Sequence, residues 1–178
     1  MEITLREWKL SDAASLSAAL SDKAVLDNLR DGLPYPYTEK DAKNYIRFIL
    51  GSDKNSTFAY AIDVGGRAVG NIGAFRQGNI HFRTAELGYY LAKEYWGKGI
   101  MTRAVTMLCE RVFAETDIIR IFAEPFSFNT GSRRVLEKAG FRFEGILKSN
   151  AFKNGKVVDM AMYAYTRDIP EGTDEKKR

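Results

Sequence analysis

The chain has 178 residues, 45% hydrophobic and 28% charged, with a formal net charge of +4. That length supports one domain with a proper core rather than two, and the apolar runs are too interrupted to span a bilayer. Lysines and arginines are spread among acids, their densest cluster (Lys176, Lys177, Arg178) reads as a solvated end rather than a nucleic-acid footprint, and Cys109 is the single cysteine. A concentrated nucleic-acid face and an intramolecular disulfide are therefore excluded.

Glu2 to Trp8 alternates as a strand does, and Met1 to Arg6 carries no signal-peptide apolar segment, which fits a cytoplasmic protein. Ser11 or Asp12 can cap a helix reaching about Leu20, and a short helix is predicted over Lys23 to Leu29. Asp31 to Tyr37, with Gly32, Pro34 and Pro36, must be a loop. Thr38 and Asp41 form a capping-box pattern before a helix whose apolar face is Ala42, Tyr45, Ile46, Ile49 and Leu50. Thr57–Val64 and Ala68–Phe75 read as a hairpin around Gly65-Gly66, and Gln77-Gly78-Asn79 turns into a strand over Ile80 to Leu91. Ile100 to about Glu115 has helical periodicity, with Met101, Ala104, Val105, Leu108, Cys109 and Val112 on one face. A short buried strand follows at Ile118 to Ala123. Asn129 or Ser127 then caps a helix that stops at Gly140. Phe141–Lys148 and Lys156–Tyr165 close the chain as two strands around Asn154-Gly155. The order gives an α/β (α+β) fold with a mostly antiparallel mixed sheet and one crossover helix that can join parallel strands.

The segment Trp96-Gly97-Lys98-Gly99-Ile100-Met101-Thr102 lies between a strand and a helix. Two glycines there permit a tight turn and a close ligand approach, and the new helix aims unpaired N–H groups and its positive dipole end at that point. This is the composition of a phosphate or pyrophosphate cradle. His81 has no ligand-spaced neighbours, so no metal site is expected, and neither a Walker motif nor a Gly-x-Ser-x-Gly elbow occurs.

With Leu5 to Ala13, Pro36 to Ala42, Glu86 to Tyr89 and Asn129 to Phe141, this segment resembles the GNAT superfamily of acetyl-CoA-dependent N-acetyltransferases, in its RimJ/RimL-type branch. The likeness covers about residues 2 to 167 and implies one domain over 1–168 with a flexible tail over 169–178. It implies a central sheet splayed in its middle, with helices on both faces. It also implies cofactor contacts from Tyr89, Tyr90 and Leu91, from Gly97, Lys98, Gly99, Ile100, Met101 and Thr102, and from Asn129 and Ser132. Asn129 and Ser132 read equally as helix caps. In the family pattern Gln/Arg-x-x-Gly-x-Gly/Ala, Trp96 holds the first position and Met101 the last.

Amine acetylation needs a base for the ammonium proton, a donor for the oxyanion and an acid for the thiolate. Glu86, favoured, and Glu124 are the candidate bases. The tyrosine that many superfamily members carry seven residues after the Asn is Leu136 here, which leaves Ser132, a water or another tyrosine as the acid. Tyr35 and Tyr37 are candidate walls of the acceptor pocket, or pack their loop onto the domain. Asp159 lines that pocket or pairs with an arginine. Direct transfer from acetyl-CoA to a protein N-terminal residue or a small amine such as a polyamine is the implied activity. The alternative is a non-catalytic acyl-CoA sensor or scaffold. No metal, nucleic-acid or membrane partner is expected, and the chain reads as monomer or homodimer.

Overall fold

A computed structural model describes residues 2–168, so the tail expected over 169–178 lies outside the described residues. Seven strands form one sheet in the order β1-β2-β3-β4-β5-β7-β6: β1 (Thr4–Arg6), β2 (Thr57–Val64), β3 (Arg67–Arg76), β4 (Thr84–Leu91), β5 (Arg120–Ala123), β6 (Arg142–Lys153) and β7 (Lys156–Thr166). Every neighbouring pair is antiparallel except β4 and β5. Between those two runs the crossover helix α4 (Ile100–Glu115), preceded in the chain by α1 (Ala13–Ser21), α2 (Lys23–Leu26) and α3 (Glu39–Gly51) and followed by α5 (Thr130–Lys138).

The sheet separates two cores. On one face Ala104, Val105, Leu108 and Val112 of α4 pack on Phe58, Ile62, Val69 and Leu87. On the other, Leu16 and Leu20 of α1 and Ala42, Ile46 and Ile49 of α3 pack on Ala59, Ala61 and Ala68. Strand alternation explains the split, since Phe58 and Ile62 point one way and Ala59 and Ala61 the other. Cys109 lies in the α4 core, where burial pushes its thiol up to about 12.

Local chemistry sets most boundaries. The Thr38 hydroxyl accepts from the Asp41 N–H at 3.2 Å while the Asp41 carboxylate accepts from the Thr38 N–H at 2.9 Å, a complete capping box. Gly65 and Gly66 both have positive φ, as the β2–β3 turn requires.

Four expectations are corrected. β4 begins at Thr84 because Asn79–His81 form a 3-10 turn with Asn79 at φ 56°. Asp12 precedes α1 without bonding it; its carboxylate pairs with Arg6 at 2.7 Å and accepts from the Lys9 N–H at 2.9 Å. Leu50 is exposed rather than on the apolar face of α3, while Tyr45 packs against that core as expected, its hydroxyl donating to the buried Asn71 Oδ1 at 3.0 Å. β6 runs on to Lys153, stiffened by its ladder with β7.

Among the described residues no helix is long and apolar enough to cross a membrane.

Candidate active site

The parallel pairing of β4 with β5 covers only Thr84–Glu86 against Arg120–Phe122. Beyond it β4 stays on β3 to Leu91. The chain after β5 stays with β7 instead: the Ala161 N–H donates to Pro125 O at 2.9 Å, and Phe126 bridges Met160. The sheet therefore splits, and a cleft of about 1180 Å³ opens through it.

The open edge of β4 follows from the antiparallel ladder. Ala92 N bonds Val69 O and Gln77 N bonds Thr84 O, each at 2.9 Å, so the even-numbered residues of β4 direct their backbone groups to β3. The odd-numbered ones, Leu87, Tyr89 and Leu91, face the split. Of the three residues expected to pair with a ligand, Tyr90 is thus corrected: its backbone is turned to Asn71 on β3. At Leu91 the Trp96 indole already donates to the carbonyl at 2.8 Å, which leaves Tyr89 as the freest of the three. The buried Tyr90 hydroxyl makes no hydrogen bond among the described residues, and burial raises its pKa well above the ordinary tyrosine value.

At the top of the cleft, Gly97 (φ 72°) and Gly99 (φ 74°) turn the chain into α4, with Gly99 at the helix cap. A Cβ added to either would stand in open space. Together with the unpaired N–H groups of the first helical turn, this is a cradle with room for a phosphate group. Ile100, Met101 and Thr102 line it, Met101 with its side chain in the core. Lys98 does not line the cleft; its ammonium lies over the Tyr95 ring, 5.4 Å from the centroid. Opposite, Asn129 Oδ1 caps α5 by accepting from the Ser132 N–H at 3.0 Å, and both residues line the cleft. The Ser132 hydroxyl lies 2.8 Å from the Tyr89 hydroxyl, whose pKa is raised by burial. Arg134 and Lys138 add positive charge on this side.

Where the strands part stand Glu86 and Glu124. Arg30, from the loop after α2, makes a direct ion pair with Glu86 and lies 3.7 Å from Glu124. Burial raises the Glu124 carboxyl above its ordinary pKa, the Glu86 charge adds to the rise and Arg30 opposes it. Arg30 has no local signal in the sequence, because its partner Glu86 is 56 residues away.

The expected acceptor residues are not brought to the cleft. Tyr37 is buried in the α1–α3 core, where its carbonyl accepts from Ser17 at 2.8 Å. Tyr35 is exposed and outside the cleft lining. Asp159 is outside the lining too, held by Lys148 at 2.7 Å and the Ser149 N–H at 2.8 Å rather than by an arginine. The wall on that side comes instead from Leu29 to Leu33. Among the described residues no group of three or more His, Cys, Asp or Glu side chains is placed to hold a metal ion.

Residues 2–142 match the family model described as "Acetyltransferase (GNAT) domain". The probable N-acetyltransferase YjcK of Bacillus subtilis (strain 168) is 44% identical over 89 residues, a match spanning 50% of this chain and 49% of that protein. Among solved structures, the ribosomal-protein-S5-alanine acetyltransferase from Vibrio fischeri is 25% identical, with a TM-score of 0.83 over 94% of each chain. A RimL ribosomal L7/L12 alpha-N-protein acetyltransferase in complex with coenzyme A is also 25% identical, with a TM-score of 0.82 over 92% of this chain and 93% of that one.

Proposed function

The chain belongs to the GNAT acetyltransferase family, a family of acetyl-CoA-dependent N-acetyltransferases, and we propose that it transfers an acetyl group to the α-amine of a protein N-terminus. The observation that carries this reading is the split between β4 and β5, which has a glycine cradle at one end and a carboxylate pair at the other. The names of the relatives, two of them acetyltransferases of ribosomal proteins, support a protein acceptor.

In this proposal the first turn of α4, with Gly97 and Gly99, holds the pyrophosphate through backbone N–H groups, and Arg134 and Lys138 add charge attraction. Tyr89 offers its backbone edge to the pantetheine arm. When bound, acetyl-CoA supplies an activated thioester carbonyl. Glu124 takes the proton from the acceptor's ammonium, directly or through water. What supports Glu124 over Glu86 is that Arg30 already engages the Glu86 carboxylate in a direct ion pair, whereas it stands 3.7 Å from Glu124, whose carboxyl burial raises above its ordinary pKa. Glu86 and Arg30 then fix the geometry of that base. The Ser132 hydroxyl, backed by Tyr89, delivers a proton to the leaving thiolate, in place of the tyrosine that Leu136 replaces.

The test is thiol release from acetyl-CoA with short peptides bearing a free alanine or serine N-terminus, preceded by a thermal melt with and without millimolar acetyl-CoA. A ligand at about 100 times its dissociation constant stabilises a fold by about 2.7 kcal/mol. A melting shift together with peptide-dependent thiol release is expected. A shift without release on any amine would leave an acyl-CoA-binding protein, and no shift would remove the cradle assignment.

A further inference from the structure

The acceptor end of the cleft carries one charged group more than proton removal needs. Two carboxylates, Glu86 and Glu124, share a single guanidinium, Arg30. The loop that brings Arg30 is fastened to the tip of the β6–β7 hairpin. There Lys153 pairs with Asp31 at 2.5 Å, and Asn154 donates to Asp27 Oδ1 at 3.1 Å. The charge of Asp31 is thereby matched by Lys153, and it does not answer Arg30. Two carboxylates against one guanidinium leave a single negative charge where the acceptor must arrive. Beside Glu86, on the same face of β4, a Cβ at Gly88 would meet nothing within 4 Å, so the floor next to this charge is open.

We infer that Arg30 selects the acceptor class: it converts a dicarboxylate site suited to a dication into one that takes a single ammonium and hydrogen-bonds a carbonyl oxygen beside it. The inference rests on the N-acetyltransferase reading above. A peptide N-terminus fits this pattern, with one cation and a carbonyl one carbon away. The ammonium meets the carboxylates, and the guanidinium, which has five N–H donors in a fork, keeps donors for the carbonyl. A diamine or polyamine brings a second cation towards Arg30 and is repelled. Arg30 is 60% exposed in its side chain, so water tempers both effects.

The test compares wild type, Arg30→Ala and Arg30→Lys for thiol release with an alanine-N-terminal tripeptide amide and with putrescine. Calorimetric binding of each amine to the CoA-loaded protein gives a readout independent of turnover. Wild type should prefer the peptide. Arg30→Ala should move the ratio of kcat/KM values about tenfold towards putrescine, with the peptide KM rising and the putrescine KM falling, while Arg30→Lys keeps most of the peptide preference. Arg30→Gln, which retains length, replaces Arg30→Ala if the latter melts below wild type. An unchanged ratio in a stably folded variant overturns the inference and leaves the transferase reading standing, whereas a wild type that prefers putrescine overturns the inference together with the peptide acceptor and leaves acetyl transfer to an amine. A wild type that binds acetyl-CoA but neither binds nor acetylates any amine overturns both.

Discussion

On its α4–α5 side the cleft presents mainly backbone, from Gly97, Gly99, the first turn of α4, the odd-numbered edge of β4 and the capped start of α5, with Arg134 and Lys138 adding charge beside it. On its α2 side it is built from long charged side chains joined across the chain, Arg30 to Glu86 and Glu124, and Asp31 to Lys153. A backbone cradle recognises what all donors of one kind share. A side-chain network recognises what differs between acceptors, and it can be rewired one residue at a time without disturbing the cradle.

The sharpest way to break this division is at the proposed base, Glu124. Glu124→Gln should lower kcat about 10²- to 10³-fold with unchanged acetyl-CoA affinity, read by steady-state thiol release and ligand-dependent melting. Its melting temperature at neutral pH should not fall. A carboxyl raised by burial contributes stability below its unfolded pKa and loses it as pH rises through the folded value, so at pH 7 the amide removes a penalty. Equal loss of cofactor affinity would show that the two halves are not separable.

Next in size is the cradle. Gly99→Val places a β-branched residue at φ 74° and a side chain in the open cradle. Backbone strain of about 1–3 kcal/mol is expected. The melting shift with acetyl-CoA should shrink as affinity falls about tenfold, or 1.4 kcal/mol. An undiminished shift would remove the loop from the cofactor site.

Two smaller effects sharpen the comparison. Glu86→Gln should cost kcat about tenfold and move the acid limb of kcat/KM to lower pH, because the Glu86 charge is one of the causes that raise Glu124. A limb moved to higher pH would contradict that electrostatic link. Lys153→Ala should free the loop carrying Arg30 and raise the acceptor KM severalfold, at a stability cost of about 1 kcal/mol, with no change in acetyl-CoA affinity. A matched change in both affinities would mean that the hairpin tip supports the whole cleft.

The same contrast decides what could be read from the chain alone. The limits of β2 and α4, the turn at Gly65-Gly66 and the Thr38–Asp41 cap were legible because each rests on residues within four positions of one another. The glycine turn into α4 was legible for that reason too. Arg30 with Glu86, and Tyr89 with Ser132, join positions 56 and 43 residues apart, and no local pattern marks either. Tyr35 and Tyr37 misled for the converse reason. A Pro-rich loop with tyrosines looks like a pocket wall, yet Tyr37 is drawn into the α1–α3 core while Tyr35 is left in solvent. The bond pattern of β4, which turns Tyr90 away from the split, follows from its register with β3 and is invisible to side-chain spacing.

Cys109, packed among Val105, Leu108 and Val112 with its thiol pushed up to about 12, makes the chain silent to thiol reagents while it is folded, since thiolate is the reactive form. Because it is also the single cysteine, any sulfhydryl that a chromogenic disulfide detects during turnover has left the donor. A sulfhydryl that emerges when neither acetyl-CoA nor an amine is present is the signature of the helix opening.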